Sequence, residues 1–272
     1  LAVSQRIVRI DVPLLVVASV AVVLMALDNR IGRIDGVILF VAVLVYTGWL
    51  IRASRRDDAP EVVEEYQSVV ETVEGAGVER PLVVQVLFVV AGLVVLVVGS
   101  QLLVGSATDI AEHFGVSELV IGLTVVAIGT SLPELATSML AAFRGQRDIA
   151  VGNVVGSCLF NLLCVLGLAG VVSSSGVNVT DASLRLDLPV VIAATVVLVP
   201  IFWNGFEIKR WEGFVLVAFY ALYVVYLVLD ANDSDAADVV RPAALIAAPL
   251  VLMTFAVTGY QGWQRHRRRA VA

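Results

Sequence analysis

Thr130, Ser131 and Glu134 sit close together in "GLTVVAIGTSLPELATSMLAAF", residues 122 to 143, beside Gly129 and Pro133 in an otherwise apolar run. Pro133 has no N–H, and its ring clashes with the carbonyl four residues earlier, so a helix through this run must open near Gly129. The opened backbone presents carbonyl oxygens, Thr130 and Ser131 add hydroxyls, and Glu134 adds a carboxylate that would cost about 3 kcal/mol or more facing lipid. Together they are hard oxygen donors, the ligand type that calcium prefers and sodium accepts. Imidazole and thiolate ligands are absent from the run. An ionisable side chain beside a break in a membrane helix reads as functional.

A second polar stripe follows. In "DIAVGNVVGSCLFNLLCVLG", Asn153, Ser157 and Asn161 recur every fourth residue and so share one face of a helix. Gly152 and Gly156 form a G-x-x-x-G pair, expected to allow close helix approach. For Asn153 taken alone, an ion ligand and a helix-to-helix hydrogen bond are both open readings. Cys158 and Cys164, six apart in this apolar helix, match no disulfide or zinc spacing and are expected in the core.

These runs must be positioned by membrane helices. Of 272 residues, 59% are hydrophobic and 15% charged, which excludes an ordinary soluble domain. The fold class is all-α and polytopic, because only helices satisfy their own backbone in lipid at this composition. Apolar runs at 12–27, 34–51, 82–104, 118–143, 149–172, 186–203, 211–229 and 242–260 predict eight transmembrane helices. Of the 18 Lys and Arg, only Arg30, Arg33, Arg185 and Arg241 fall on one side of the alternating spans. The other side is then cytoplasmic, and both ends of the chain are expected there, in the plasma membrane. The net charge of −6 lies in loops, chiefly 57–79 and 230–238, so nucleic acid is not an expected partner.

The chain also repeats itself. "RIDVPLLVVASVAVVL" at 9–24 returns as "RLDLPVVIAATVVLVP" at 185–200, with Arg9 matching Arg185, Asp11 matching Asp187 and Pro13 matching Pro189. "DGVILFVAVLVYTGWLI" at 35–51 returns as "EGFVLVAFYALYVVYLV" at 212–228, with Tyr46 matching Tyr223. The first and sixth spans lie an odd number of crossings apart, so the two copies are inverted, a plan shared by many secondary transporters with a midplane site. The second copy has five spans and the first only two. Residues 1–53 therefore read as the remnant of the first copy, 54–80 as an acidic cytoplasmic loop, 81–231 as the second copy and 232–272 as an extra helix with a basic tail. A complete first copy would need about 95 further residues before Leu1.

The run 122–163, with its GTS-x-PE followed by GN-x-x-GS, resembles the second α-repeat of the sodium/calcium exchanger family, within the calcium:cation antiporter superfamily, of bacterial or archaeal type. The resemblance implies an inverted-repeat antiporter exchanging Na+ for Ca2+ by alternating access, without a cofactor. It implies ion ligation by Thr130, Ser131, Glu134, Ser157 and Asn161, with Glu134, Thr130 and Asn161 on the metal. Gly129, Pro133, Gly152, Asn153 and Gly156 support them. Cys158 departs from the Asn often found after the GS pair. The partners implied are the bilayer, the two ions and a first α-repeat on the same or another chain. Glu134 is expected to be the one clear intramembrane acid here, so the divalent ion would need a second carboxylate from that absent repeat.

Other readings remain. Proton-coupled or potassium-dependent calcium exchange would use the same acid, and a non-transporting subunit would need only the helix break. An intramembrane hydrolase would use Ser131 as nucleophile, yet the histidines, His113 and His266, lie near loops, so no base is in reach. Val62, Val63, Tyr66, Val69, Val70 and Val73 follow a helical stripe expected to form an amphipathic cytoplasmic segment. The tail "RHRRRA" reads as an anchor near anionic lipid.

Overall fold

The computed structural model describes residues 6–54, 81–113, 121–203, 208–231 and 254. Helix α1 covers Val12–Met25, α2 Arg33–Ser54, α3 Leu82–His113, α4 Ala127–Thr130, α5 Leu132–Phe143, α6 Arg147–Phe160, α7 Leu166–Val172, α8 Leu188–Trp203 and α9 Arg210–Ala231. Wide π-helical turns lead into α1 (Ile7–Asp11), α4 (Gly122–Val126), α7 (Asn161–Val165) and α8 (Ser183–Asp187).

Among the described residues, six continuous stretches are long and apolar enough to cross a membrane: Ile7–Asp28, Arg33–Ala53, Leu82–His113, Arg147–Val172, Ser183–Trp203 and Arg210–Asp230. A bent pair, Thr124–Thr130 with Leu132–Phe143, makes a seventh. The chain is therefore a multi-pass helical membrane protein, and these seven correspond to the first seven expected spans. The eighth, at 242–260, lies outside the described residues, as do the Val62–Val73 stripe and the basic tail.

The chain divides into two compact units, one of Leu1–Leu44 with Thr137–Ala272, the other of Val45–Ala136. In the first, α1 packs against α8 and α6. Val12, Leu15, Ala18, Ser19 and Val22 form its buried stripe, at helical spacing, and Val197, Ile201 and Phe202 on α8 and Val151, Val155 and Leu159 on α6 are buried as well. Ser19 closes its hydroxyl onto the Leu15 carbonyl at 2.8 Å, so its burial leaves no orphan donor. In the second unit, α3 packs against the π turn before α4 and against α4 itself.

The two similar stretches of sequence begin alike in the structure. The π turn Ile7–Asp11 and the π turn Ser183–Asp187 occupy matching places in the two copies. The Val12 N–H reaches back to the Ile7 carbonyl, and the Leu188 N–H to that of Ser183. A widened turn lodges a proline that would otherwise meet the carbonyl four residues back, and Pro13 and Pro189 each follow one. The next helix of each copy starts alike. Asp35 accepts the Gly32 N–H at 2.9 Å, and Glu212 accepts the Lys209 N–H at 2.8 Å. Each acid sits at the third helical position and satisfies a donor that the helix start leaves open.

Two short strands, β1 (Arg30–Ile31) and β2 (Val177–Asn178), pair antiparallel, with Arg30 opposite Asn178 and Ile31 opposite Val177. Asn29 turns the chain into β1 with φ +63°, and its side-chain amide donates to Asp181. Just beyond, α2 and α7 meet backbone to backbone. A Cβ on Gly36 would lie 2.6 Å from the Gly167 oxygen, 2.7 Å from the Val171 nitrogen and 2.9 Å from the Gly170 carbonyl carbon. Only glycine fits there.

Candidate ion-binding site

The helix through 122–143 opens where Pro133 requires it. Thr124–Thr130 and Leu132–Phe143 meet at 50°, with Ser131 at φ −92°, ψ 0° between them. That conformation is the bridge region, sparsely populated and common in active sites. The carbonyl four residues before Pro133 belongs to Gly129, and the Ser100 hydroxyl of α3 donates to it. The same glycine admits α3 closely, since a Cβ there would overlap Cγ2 of Val104. Ser100 is a residue that sequence reasoning missed. It stands apart from the motif, in a long and mostly apolar helix.

Around this break, Thr130 donates its hydroxyl to the Ala127 carbonyl at 3.2 Å, so that side chain lies along its own helix. Glu134 begins the first turn of α5 and is exposed, as are Thr130 and Ser131. Thr130 and Ser131 thus lie at the bend, and Glu134 lies on the first turn beyond it.

In the other unit, Asn153 of α6 donates to the Ser138 hydroxyl at 2.8 Å and the Thr137 hydroxyl at 3.1 Å. Its amide is therefore a bond from α6 to α5. Thr137 and Ser138 were also missed, although their spacing of three and four from Glu134 places them on its face of the helix. Ser157 is half-buried on α6, and Asn161, exposed, opens the π turn that leads into α7.

Three expectations are corrected. Among the described residues, Gly152 and Gly156 are not close-approach points: a Cβ on Gly156 meets nothing within 4 Å, and one on Gly152 only Ile7 Cδ1 at 3.7 Å. The close glycine crossing is at Gly36, Gly167 and Gly170 instead. Cys158 is exposed and Cys164 half-buried, because the buried stripe of this helix is Val151, Val155 and Leu159, and neither cysteine is on it. Nor is Glu134 the one acid within the spans. Asp187 lies in the sixth, where it accepts the Tyr223 hydroxyl at 2.7 Å, and the buried Glu212 starts the seventh. Among the described residues, no three His, Cys, Asp or Glu gather into a metal cluster.

The family described as Sodium/calcium exchanger protein matches residues 84–229, which include the break, the Asn153 stripe and the Asp187–Tyr223 bond. The chain belongs to this family. Its members are transporters and not enzymes, which removes the hydrolase reading of Ser131. The sodium/calcium exchanger MaX1 of Methanosarcina acetivorans is 42% identical over 132 residues, covering 48% of this chain and 37% of that protein. The inner membrane protein YrbG of Escherichia coli is 32% identical over 205 residues, covering 74% of this chain and 61% of YrbG. The crystal structure of an H+/Ca2+ exchanger, CAX, matches 98% of this chain and 66% of its own with a TM-score of 0.59 at 17% identity, which establishes a shared fold. The chain thus spans less than two thirds of each of these proteins.

Proposed function

We propose that this exchanger-family chain supplies one half of the ion site of a secondary antiporter that moves calcium against another cation by alternating access, in the plasma membrane with both chain ends cytoplasmic. The observation that carries it is the break at Ser131, with Glu134 on the first turn beyond it, inside a segment of membrane length. The Ser100 hydroxyl already answers the Gly129 carbonyl, so the polar demand at the bend is the Glu134 carboxylate, whose cost within lipid a bound cation would offset.

The ligand set we propose is Thr130, Ser131, Glu134, Ser157 and Asn161. Helical periodicity supports it. The Asn153–Ser138 bond fixes the register of α6 on α5; Ser157 follows Asn153 by one turn on the polar face of α6, and Glu134 precedes Ser138 by one turn on α5. Gly129 and Pro133 make the bend, and Asn153 serves as the register bond. One carboxylate and several neutral oxygens leave a divalent ion under-compensated, so a second acid from a first α-repeat completes the cage in this reading.

Sodium is the proposed counter-ion. A shared oxygen cage cannot hold the full complement of both ions without excess positive charge, and this gives competition its cause. The proton remains the second reading, favoured by the shared fold with an H+/Ca2+ exchanger. The test is calcium-45 uptake into vesicles loaded with sodium, potassium or acid in turn, using this chain assembled with a first α-repeat. Uptake should follow the sodium gradient and vanish with Glu134→Gln. Undiminished sodium-driven uptake in that variant would remove Glu134 from the site and leave the break a structural feature.

A further inference from the structure

Three successive carbonyls lead into the break, and their hydrogen-bond donors come from different places. The Thr130 hydroxyl reaches the Ala127 oxygen, and the Ser131 N–H reaches that of Ile128 at 3.1 Å. Both of these donors belong to the bent segment itself. The Gly129 oxygen is the one whose helical donor Pro133 lacks, and the Ser100 hydroxyl that bonds it comes from α3, 29 positions earlier. Val104, one turn after Ser100 on the same face of α3, packs on the same glycine, where a Cβ would overlap its Cγ2. Gly129 is buried, whereas Thr130, Ser131 and Glu134 just beyond it are exposed.

The Gly129 carbonyl and the Thr130 N–H belong to one rigid peptide plane, so a bond that fixes the direction of the oxygen also fixes how the chain enters Ser131, where the 50° bend is made. Glu134 stands three residues on, in the first turn of α5. We propose that Ser100 is a positioning residue of the ion site: by holding the carbonyl that Pro133 orphans it sets the bend, and through the bend it sets the place of Glu134. Ser100 is not itself a ligand in this scheme. With alanine at position 100, the Gly129 oxygen is a strong acceptor without its donor inside a membrane segment, and it regains a partner only by turning its peptide plane toward water or toward a bound cation. Either turn shifts the carboxylate. One hydrogen bond of ordinary strength corresponds to about fivefold in an equilibrium constant, which sets the scale of the expected loss in calcium affinity.

The role at the ion rests on the antiporter reading, and two measurements separate them. Ser100→Ala, Ser100→Thr and Ser106→Ala are compared by calcium-45 uptake in the chain assembled with a first α-repeat. Ser100→Ala should raise the calcium concentration for half-maximal uptake about fivefold, while the maximal rate per folded protein changes by less than about twofold. Ser100→Thr, which keeps the hydroxyl, should return to within about twofold of the parent, and Ser106→Ala should match the parent. A lower maximal rate at unchanged half-saturation is the mark of a merely structural bond and would overturn the positioning role. The bend is read without transport. Nitroxides on Gly122→Cys, where a Cβ meets nothing within 4 Å, and on Phe143→Cys, 82% exposed, flank it, with Cys158 and Cys164 replaced by alanine. They should lie about 30 Å apart at 1.5 Å per residue, within range of double electron–electron resonance. Ser100→Ala should broaden or shift that distance distribution and Ser100→Thr should restore it; an unchanged distribution would overturn the proposal whatever uptake shows. A parent assembly that takes up no calcium under any gradient refutes the antiporter instead, and the distance then decides what Ser100 does at the bend.

Discussion

Replacing Gly36 by alanine should destabilise the protein, although alanine is the better helix former. The added Cβ would stand 2.6 Å from the Gly167 oxygen, about 0.8 Å inside the 3.4 Å at which ordinary contact begins. All three nearest atoms are backbone, so no rotamer change relieves the overlap and the two helices must part. A radial gap of about 0.5–1 Å already forfeits a quarter to a half of the dispersion well across the contact, and overpacking of this kind typically costs about 1–3 kcal/mol. Against this stands a helix-propensity gain of up to about 1 kcal/mol. Gly48 in the same helix isolates that gain, since a Cβ there meets nothing within 4 Å. Gly48→Ala should therefore be neutral or stabilising, and Gly36→Ala should fall below it by about 2 kcal/mol. Thermal unfolding in detergent, followed by size-exclusion chromatography of both variants at one heating rate, gives the ranking, with Gly36→Leu expected lower still. A Gly36→Ala protein as stable as Gly48→Ala would show that the backbone crossing does not hold α2 to α7.

Other outcomes follow from single bonds. Tyr223→Phe removes the hydroxyl that Asp187 accepts and should lower stability by about 0.6–1.7 kcal/mol in the same assay, while Asp187→Asn, which keeps an acceptor, should lose less. Asn153→Ala and Ser138→Ala delete the two ends of one bond, so their losses should be non-additive in a double-mutant cycle, and full additivity would deny the coupling. Ser100→Ala strips the Gly129 carbonyl of its donor and should cost about 1 kcal/mol, measured against Ser106→Ala on the same helix. Glu212→Gln keeps an acceptor for the Lys209 N–H and should melt near the parent, whereas Glu212→Ala should lose about 1 kcal/mol.

The break was legible because one residue's chemistry dictates it. Pro133 cannot donate and cannot tolerate the Gly129 carbonyl, so the helix opens there whatever surrounds it. The spans were legible because a run of about 20 apolar residues crosses lipid as a self-satisfied helix, and the first seven expected runs have their counterparts among the described residues. The repeat was visible in Arg, Asp and Pro, and its caps at Asp35 and Glu212 are as local as the residues that form them.

What the sequence could not decide is which atoms answer one another across space. Ser100 supplies the Gly129 carbonyl from 29 positions away, and nothing local marks that serine, rather than Gln101 or Ser106 of the same helix, as the donor. The G-x-x-x-G pair at Gly152 and Gly156 has the right spacing and no close neighbour, while Gly36, Gly167 and Gly170 form the crossing from two distant segments. Local chemistry determines where a helix must start, bend or stop, because those events involve a few consecutive atoms. Which glycine is a contact and which carboxylate is answered by a hydroxyl depends on how whole helices are laid against each other, and only the tertiary structure carries that information.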